Sequence, residues 1–352
     1  MFACSATSAF ASLIQTLKVP KVLVIGGTGR VGGSAVRSLH ERFGSEIDLR
    51  VAGRSLKNWD AFLGRNSKPL VGVEFVSLDI TRKEELEVVI PQYDLIIHTA
   101  GPFQGLRCPS VLESSLRHGK QYIDVCDDIT LSKIARSDIY RDLAVKSKGA
   151  AVISTGIWPG GSSLFAQKII DSVGGKENVD KVKFTFFTAG TGNAGPTLLA
   201  ATFLILGEDV LTYVNGKQIY KKSATDLETV DFGKDIGMRE VVRLNLIECE
   251  SCHSSGMRIQ IHFSSLSYYN IEHLHIYYHY SDAFAFAIGI DNVETFFGTA
   301  PVIWNRLFTA MANIIPQSAL KNVDLMNKFA LFSLPMVRLV DMLVGCTNGT
   351  KQ

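Results

Sequence analysis

The sequence lacks a charge excess of either sign. Among its 352 residues, Lys and Arg number 36 and Asp and Glu number 34, so the formal net charge is +2. Nucleic-acid-binding domains concentrate Lys and Arg on one face, and this sequence has no long basic run. The charge pattern therefore predicts a protein that does not bind nucleic acid.

Long hydrophobic runs and cysteines are also scarce. The longest apolar run, Pro196 to Leu206, is far shorter than the roughly 18 residues that a membrane-spanning helix needs. The six cysteines are scattered along a long chain, unlike the dense disulfide framework of small secreted domains. We therefore expect no membrane span and a reducing compartment.

The amino-terminal 20 residues are rich in Ser, Ala and Thr, and the first acidic residue is Glu41. This composition fits a short plastid transit segment, although transit segments usually carry Arg and this one carries none. A frayed start of a cytoplasmic protein fits equally well. The sequence thus predicts a plastid location, with the cytoplasm as the alternative.

Residues 21–160 alternate between predicted strands and predicted helices. The predicted strands are Lys21–Gly26, Asp48–Ala52, Val73–Leu78, Asp94–His98, Gln121–Val125 and Ala150–Ser154. The predicted helices are Arg30–Phe43, Thr81–Ile90, Pro109–His118 and Thr130–Lys146. Strands separated by helices of this length indicate βαβ units and a parallel sheet. The expected fold is α/β, a doubly wound Rossmann sheet of six strands.

The pattern changes in residues 161–345, for which we predict a second, α+β domain. Lys181 to Thr188 reads as a strand and Thr197 to Leu206 as a helix. Asn215-Gly216 between β-forming residues predicts a hairpin. Residues 302–344 read as mostly helical, with breaks near Pro316 and Pro335.

A glycine-rich turn connects the first predicted strand to the first predicted helix. The run GGTGRVGG contains the pattern G-x-G-x-x-G at Gly27, Gly29 and Gly32. In dinucleotide-binding folds the first glycine permits a tight turn, the second lets the backbone approach the pyrophosphate, and the third lets the helix pack on the strand. The helix N-terminus then presents N–H groups to the phosphates. We expect cofactor contacts from Gly27, Thr28, Gly29, Arg30, Val31 and Gly32.

The residues after the second predicted strand indicate which dinucleotide binds. NAD-binding domains place Asp or Glu here to bind the ribose hydroxyls, whereas this chain has Arg54 and Ser55. A guanidinium can bind phosphate through two hydrogen bonds, so the pair favours NADP over NAD.

Three further positions follow later strands of the same predicted sheet. Asp79 ends the third strand, where it either faces the adenine or caps the next helix. Ala100 and Gly101 follow the fourth strand, where the backbone must pass close to the cofactor. All three are therefore candidate cofactor contacts.

These segments together resemble the saccharopine dehydrogenase-like NADP-binding family, and its plant members in particular. The similar segments are VLVIGGTGRVGG, VAGRS, IIHTAGPF, HGKQYIDVCDD and STGIWPGG. The resemblance covers about residues 21–250 and resumes at residues 297–301 with Trp304-Asn305. It implies a Rossmann domain, a second α+β domain for substrate binding and dimerisation, and NAD(P)-linked oxidoreduction of a small molecule.

Two segments depart from that family. Residues 256–287, rich in Tyr and His, look like an insertion, and residues 346–352 also differ from the family pattern. Because the insertion shows no clean strand alternation, we expect that its deletion does not lower stability.

No catalytic residue is identified from the sequence. Reduction of a carbonyl or imine needs a proton donor, and His98, Cys126, Asp127 and Asp128 all follow predicted strands, where open α/β sheets hold their ligands. None of the four stands out, and each could instead be a core or cap residue.

Three other patterns are weak candidates. Cys249, Cys252 and His253 match the C-x-x-C-H haem-attachment string, which needs an export context, and buried or surface thiols are the favoured interpretation. The histidines at 273, 275 and 279 could share a strand face, but they lack a fourth ligand. Tyr213 and Lys217 give Y-x-x-x-K, yet Asn215-Gly216 between them predicts a hairpin rather than the helix that such a pair requires.

The sequence thus predicts an NADP-dependent oxidoreductase of the saccharopine dehydrogenase-like kind, with an unidentified small-molecule substrate, no metal and a homodimeric assembly. An atypical short-chain dehydrogenase is one alternative, because GGTGRVGG also fits its glycine pattern. A non-enzymatic NADP-binding sensor or scaffold is the other, because no catalytic dyad is evident.

Overall fold

The computed structural model describes residues 19–189, 196–253 and 289–343. The chain divides into two compact units, neither of which is continuous in sequence. The first contains the described residues of Met1–Ala100, together with Ser110–Ile123 and Lys146–Ala151. The second contains Gly101–Pro109, Asp124–Val145 and the described residues of Val152–Gln352. The predicted insertion, the three histidines at 273–279 and the first 18 residues lie outside the described residues.

The first six strands form one parallel sheet. They are β1 (Lys21–Ile25), β2 (Asp48–Gly53), β3 (Glu74–Ser77), β4 (Leu95–His98), β5 (Gln121–Asp124) and β6 (Ala150–Val152). Their order is β3-β2-β1-β4-β5-β6, which is the order of doubly wound dinucleotide-binding sheets. The Rossmann prediction is therefore confirmed.

Six helices accompany these strands in the sequence. They are α1 (Arg30–Phe43), α2 (Leu56–Gly64), α3 (Lys83–Val89), α4 (Ser110–Arg117), α5 (Ile129–Ala135) and α6 (Asp138–Ser147). Val24, Val36, Val51 and Phe62 pack in one buried cluster that joins β1 and β2 to α1 and α2. Because β1 is buried on both faces, its sequence is a continuous apolar run rather than an alternating one.

The described residues of the second half contain a mixed sheet. Its strands are β7 (Val182–Ala189), β8 (Val210–Val214), β9 (Lys217–Lys221), β10 (Glu228–Asp231), β11 (Met238–Arg243) and β12 (Val293–Ala300). The order is β10-β11-β12-β8-β9, and β7 also pairs with β12. The β7–β12 pair is parallel, whereas β8–β9, β10–β11 and β11–β12 are antiparallel. The α+β expectation is confirmed.

The helices of the second half are α7 (Gly161–Ser172), α8 (Pro196–Leu206), α9 (Glu248–His253), α10 (Ile303–Ile314), α11 (Gln317–Leu320) and α12 (Val323–Leu343). The largest apolar cluster joins α8, α10 and α12 through Phe203, Phe308, Met326 and Ala330. Within the described residues, no helix combines the length and the apolar character that crossing a membrane would need.

The hairpin prediction is confirmed. Asn215 and Gly216 have φ angles of 49° and 72° and connect β8 to β9. Two positive φ angles at an Asn-Gly pair match the twist of the flanking strands. Tyr213 and Lys217 therefore lie on different strands, and they cannot act as a helical Y-x-x-x-K pair.

Two helix predictions are wrong in detail. The single helix predicted over Thr130–Lys146 is two helices, because Arg136 ends α5 and the carbonyl of Ser137 accepts the first hydrogen bonds of α6. Ser at such a position favours a new helix start. Pro335 lies inside α12 and does not end it, because Pro335 is on the exposed side of the helix while the other side packs in the core. The break near Pro316 is confirmed, since α10 ends at Ile314.

Candidate cofactor and substrate sites

The glycine-rich turn between β1 and α1 depends on Gly26, which lies just before the G-x-G-x-x-G pattern. Gly26 has a φ of 79°, so the strained position of the turn is Gly26 rather than Gly27. A Cβ on Gly26 would lie 2.8 Å from the backbone nitrogen of Ala100. The Gly26 amide donates a hydrogen bond to the Ala52 carbonyl at 2.8 Å. The turn is therefore held against the end of β2 and the segment that follows β4.

Gly27 and Gly32 permit close packing behind the turn. A Cβ on Gly27 would lie 2.8 Å from Cγ1 of Val51, and a Cβ on Gly32 would overlap the hydroxyl of Thr99 and the carbonyl of Gly26. The Thr99 hydroxyl donates to the Ile25 carbonyl at 2.7 Å. The packing role expected for Gly32 matches this geometry, and Thr99 is a further residue that supports the turn.

Gly29 differs from these glycines because the space that a Cβ would occupy there is largely open. A Cβ there would meet one atom within 4 Å, the Gly26 carbonyl oxygen at 3.1 Å. Gly29 is exposed and is the N-cap of α1, which has no side-chain cap and no acidic residue in its first turn. Arg30 and Val31 are exposed beside it, and Thr28 is half-buried. The N-terminus of α1 can therefore accept an anion at this point.

The residues after β2 lie close to the glycine turn. A Cβ on Gly53 would lie 4.0 Å from the Thr28 hydroxyl oxygen. The next residue, Arg54, is exposed, and Ser55 caps α2 by accepting a hydrogen bond from the Asn58 amide at 3.4 Å. The strand end therefore presents a guanidinium where NAD-binding domains present a carboxylate.

Asp79 takes part in a turn after β3. Its Oδ1 accepts hydrogen bonds from the Thr81 amide at 3.0 Å and the Thr81 hydroxyl at 2.8 Å. These bonds lower the pKa of the Asp79 carboxyl, and the guanidinium of Arg54 lowers it further. Asp79 is thus ionised and held in the turn, and a contact to the adenine stays a prediction. Ala100 is half-buried and Gly101 is exposed after β4.

The glycine turn and Arg54 fit NADP. Gly29 leaves room for a pyrophosphate at a helix N-terminus that no carboxylate occupies, and Arg54 supplies a cation for a ribose phosphate. The described features of the first unit are those of a dinucleotide-binding domain.

A cavity of about 290 Å³ lies within the second unit, which approaches the size of a small-ligand pocket. Arg136 is the one charged residue among the described residues of its wall. Five hydroxyl-bearing residues also line it: Ser132, Ser154, Thr155, Ser163 and Ser251. A cation surrounded by hydroxyl groups suits a polar or anionic group of a ligand.

Asp124, at the end of β5, shapes one wall of this cavity. Its Oδ1 accepts hydrogen bonds from the Ser154 amide at 2.7 Å and the Cys126 amide at 3.1 Å, and its carbonyl accepts from the Thr155 hydroxyl at 2.7 Å. Ser154 has a φ of 60°, an uncommon value for a residue with a side chain. Such strain is often found at ligand sites, and here it directs Ser154 to within 3.4 Å of the Ser132 hydroxyl.

The N-terminus of α7 forms a second wall. Its N-cap, Gly160, has a φ of 117°, and a Cβ there would overlap the Gly156 carbonyl. No side chain caps this helix. Gly160, Gly161 and Ser163 all line the cavity, so the positive end of the helix dipole adds to the charge of Arg136.

Arg136 is half-buried and is supported by an acidic residue. Burial lowers the pKa of Arg136, and the charge of Glu250 opposes that shift. Glu250 accepts a hydrogen bond from the Tyr213 hydroxyl at 2.9 Å and forms an ion pair with Lys133 at 3.1 Å. These contacts place one carboxylate beside the cationic wall of the cavity.

Two of the four proton-donor candidates are unsuited to acid–base work near neutral pH. His98 is buried, burial lowers its pKa to about 4, and its Nδ1 lies 3.0 Å from the Tyr122 hydroxyl. Its imidazole is therefore neutral at pH 7. Burial raises the pKa of the Cys126 thiol well above its usual range, so the thiol stays protonated.

The two aspartates differ from each other. Asp128 is the N-cap of α5, and its carboxylate accepts hydrogen bonds from the Leu131 amide at 2.6 Å and the Gly105 amide at 3.3 Å. Burial raises the pKa of Asp127 to about 6, and the charges of Asp128 and Asp124 raise it as well. Asp127 can therefore change protonation near neutral pH, and it immediately precedes Asp128, the N-cap of α5, a helix whose Ser132 lines the cavity.

A second buried acid lies in the same unit. Glu248 begins α9 and is 1% exposed, and burial raises its pKa. The Ser162 hydroxyl donates to its Oε1 at 2.7 Å. The charge of Asp127 also raises the pKa of Glu248, so the two carboxyl groups influence each other's protonation. Glu248 could not be identified from the sequence, because only its burial distinguishes it from other acidic residues.

The C-x-x-C-H string forms part of the core. Cys249 and Cys252 are buried on α9, and burial raises the pKa of both thiols. The Cys249 thiol donates to the Val293 carbonyl at 3.3 Å, and the His253 ring stacks on Tyr213. The interpretation as buried thiols is confirmed. No group of three or more His, Cys, Asp or Glu residues in the described ranges is arranged to hold a metal.

Comparison with protein families gives a match that covers the described residues of the first unit from residue 22 onward and part of the second unit. Residues 22–153 match the family described as the saccharopine dehydrogenase NADP binding domain. These residues therefore match a saccharopine dehydrogenase-like NADP-binding domain, which supports NADP as the cofactor. The predictions of a saccharopine dehydrogenase-like NADP-binding domain and of NADP as the cofactor are confirmed, and the particular similarity to plant members stays a prediction.

Solved structures give more distant similarities. An apo saccharopine dehydrogenase (L-Glu forming) from Saccharomyces cerevisiae is 20% identical with a TM-score of 0.44, and the match covers 64% of this chain and 50% of that one. A putative short-chain dehydrogenase/reductase from Burkholderia multivorans with bound NADP is 14% identical with a TM-score of 0.29, covering 39% and 78%. The chain thus spans about half the length of the yeast enzyme. No curated protein matches the sequence.

Proposed function

We propose that the protein is an NADP-dependent oxidoreductase that transfers hydride between the nicotinamide and a carbonyl or imine carbon of a small molecule. The observation that carries the proposal is the presence, in one chain, of a match to an NADP-binding domain, of a cavity with a polar wall, and of a carboxyl group whose pKa burial raises to about 6. A buried acid with a pKa near neutral pH suits a general acid–base role.

Asp127 is the proposed proton donor. Bound NADPH supplies the hydride, and protonated Asp127 supplies the proton to the carbonyl oxygen or imine nitrogen. In the reverse direction the Asp127 carboxylate accepts that proton. A pKa of about 6 leaves both forms accessible near neutral pH, whereas His98 and Cys126 each stay in one form.

The cavity is the proposed binding site for a polar group of the substrate. Its wall favours a group with negative charge or several oxygens, because it contains Arg136, the uncapped N-terminus of α7 and the hydroxyls of Ser132 and Ser154. Orienting the substrate in this way is the protein's contribution, since the cofactor carries the hydride chemistry.

The test is turnover measured beside binding. The full chain is titrated with NADPH by calorimetry, and NADPH absorbance is then followed with a panel of small aldehydes, ketones, 2-oxo acids and cyclic imines. We expect binding, and substrate-dependent oxidation with at least one class. Tight binding with no oxidation across the panel would favour the sensor or scaffold alternative. No binding would contradict the proposal altogether.

The finer parts of the assignment are separate proposals. We infer a plastid location from the composition of residues 1–20, and imaging of the full chain with a carboxyl-terminal fluorescent tag tests it. A purely cytoplasmic signal would contradict the plastid location and leave the oxidoreductase proposal unaffected.

A further inference from the structure

Gln104 is a buried polar residue whose side-chain amide makes no hydrogen bond. The residue is 3% exposed, and within the described residues neither its amide nitrogen nor its amide oxygen has a hydrogen-bond partner. Buried polar groups are nearly always paired, because an unpaired one costs stability. A buried amide without a partner therefore points to a role other than packing.

A tight turn fixes the backbone of Gln104. The Phe103 carbonyl accepts a hydrogen bond from the Leu106 amide at 3.2 Å, so this segment is a β-turn. Gly105 has a φ of 80°, which is typical of the third residue of a type II turn. A Cβ on Gly105 would lie 2.8 Å from Cγ2 of Val323, so the turn is closely packed.

The same turn packs on the segment that follows β5. The Gly105 amide donates a hydrogen bond to Oδ2 of Asp128 at 3.3 Å. The Phe103 ring belongs to the same buried cluster as Cys126. Both segments are parts of the second unit, and these two contacts hold them together.

Gln104 lies between these contacts in the turn, and Asp127 lies between them in the segment after β5. The amide of Gln104 lowers the pKa of the Asp127 carboxyl, as an N–H donor does when it faces a carboxylate. The pair makes no hydrogen bond of ordinary geometry. Asp127 is half-buried, so its carboxyl can also meet a substrate.

Other groups around Asp127 oppose its ionised form. Burial and the charges of Asp124 and Asp128 raise the pKa of its carboxyl, and the buried carboxyl of Glu248 on α9 is close enough to interact with it. The Cys126 thiol beside it stays protonated and adds no charge. In the proposed reduction, Asp127 gives its proton to the substrate oxygen or nitrogen as the bonded carbon accepts hydride, and it remains a carboxylate until water returns a proton. An N–H donor aimed at that carboxylate stabilises the charge where it develops.

We propose that Gln104 is a positioning residue for the acid, and that its amide nitrogen donates a hydrogen bond to the Asp127 carboxylate formed during reduction. An amide with no other partner among the described residues can make this bond without breaking another. The proposal rests on the proposed function, because Gln104 acts only through Asp127.

Titration of Asp127 in the full chain tests the proposal without relying on turnover. The protein is labelled with ¹³C at the aspartate carboxyls, and the signal missing from Asp127→Asn identifies the residue. Its midpoint should lie near pH 6 in the wild type. In Gln104→Met, which keeps the length of the side chain and removes the donor, the midpoint should lie about one pH unit higher. Gln121→Met, at an exposed residue of β5, is the matched control and should keep the wild-type midpoint. An unchanged midpoint in Gln104→Met would overturn the proposal.

Stability and kinetics separate positioning from a structural role. Gln104→Met removes an unpaired buried amide, so the thermal midpoint should stay the same or rise. The pH at which the rate of reduction falls should rise by the same amount as the titration midpoint, with an unchanged KM for NADPH. A raised titration midpoint with no turnover in any variant would support the contact between Gln104 and Asp127 and contradict the proposed function. A lowered thermal midpoint with an unmoved titration would show a structural role and overturn the proposal.

A measurement on the wild type does not depend on how Gln104→Met folds. With ¹⁵N in the glutamine side chains, one amide signal should move with a midpoint near pH 6, the pKa of Asp127. That signal should stay in place in Asp127→Asn. If no glutamine signal moves in the wild type, or if the same signal moves in both proteins, the proposal is wrong.

Discussion

The cofactor site and the substrate cavity are built in different ways. The glycine turn is one short segment between β1 and α1, supported by the ends of β2 and β4. The cavity is lined by α5, by the segment after β6 and by the N-termini of α7 and α9, which are far apart in sequence. A site formed by one segment has a fixed residue spacing that can be recognised in the sequence. A site formed by four segments consists of single residues with no recognisable spacing.

The two sites also differ in what their glycines and polar groups do. In the turn, Gly26 and Gly32 avoid overlap while Gly29 leaves open space, so backbone geometry makes the site. In the cavity, Arg136 and the hydroxyls supply the chemistry, and Asp124 fixes the strained Ser154. We therefore expect changes in the turn to affect cofactor binding and changes near the cavity to affect turnover.

The largest effect should come from Asp127→Asn. Loss of the proton donor should lower kcat by about 100- to 10,000-fold, the usual contribution of a general acid. NADPH binding should stay unchanged. Asp138→Asn, at an exposed acid on α6, is the control and should keep wild-type kcat. Unaltered kcat in Asp127→Asn would remove this residue from the mechanism.

The pH dependence gives a second view of the same residue. Burial raises the pKa of Asp127 to about 6, and reduction requires its protonated form. The rate of reduction should therefore fall as the pH rises through about 6. The rate of oxidation should rise over the same pH range, because it requires the carboxylate form. In Asp127→Asn the residual rate should no longer change with pH near 6.

Gly29→Val should abolish most cofactor binding while the fold survives. The Gly29 Cβ direction is open apart from the Gly26 carbonyl, so a valine there fills the space left for the pyrophosphate. We expect NADPH affinity by calorimetry to fall about 100-fold or more, with an unchanged thermal midpoint. Gly64→Val is the matched control, because a Cβ on Gly64 meets no atom within 4 Å. Normal affinity in Gly29→Val would place the cofactor elsewhere.

Arg136→Leu should separate the two sites kinetically. Removing the cation from the cavity wall should raise KM for an anionic substrate by about 10- to 100-fold, the scale of one charge-assisted contact. The affinity for NADPH should not change. Arg141→Leu, at an exposed residue on α6, provides the control, and an unchanged KM in Arg136→Leu would exclude the cavity as the substrate site.

The smallest effect concerns the choice between cofactors. Arg54→Asp should weaken NADPH binding by about 1–3 kcal/mol, the scale of a charge-assisted hydrogen bond, and spare NADH. Arg65→Asp changes the same charge at the end of α2 and should affect both cofactors little. An equal loss of affinity for NADPH and NADH in Arg54→Asp would contradict the proposed role of Arg54 in binding the ribose phosphate.

The sequence predicted the first sheet well because strands and helices alternate along it and because β1 is a buried apolar run followed by a glycine-rich turn. Helix α2 was missed, since Leu56–Gly64 is short and only Trp59 and Phe62 on it are buried. Helix α7 was missed because it exposes Leu164 and Phe165, so its apolar residues do not all lie on the buried face. In both helices the apolar pattern is weaker than the tertiary packing that stabilises them.

The candidate site could be predicted only in part for a related reason. Gly29 and Arg54 could be predicted because their positions in the sequence are defined relative to the glycine motif. Asp127 could not be preferred over Asp128 from sequence, because the difference is burial in one case and a helix cap in the other. Glu248 immediately precedes the C-x-x-C-H string of residues 249–253, and its burial, which the sequence pattern does not show, is its informative property.

The account places NADP at the glycine turn, and hydrogen–deuterium exchange of the full chain with and without saturating NADPH tests that placement most directly. Backbone amides in residues 26–33 and 53–57 should exchange more slowly when NADPH is present, because the cofactor covers the N-terminus of α1 and the end of β2. The Gly29→Val variant should show no such change. Protection confined to other segments, or none in these two, would contradict the account.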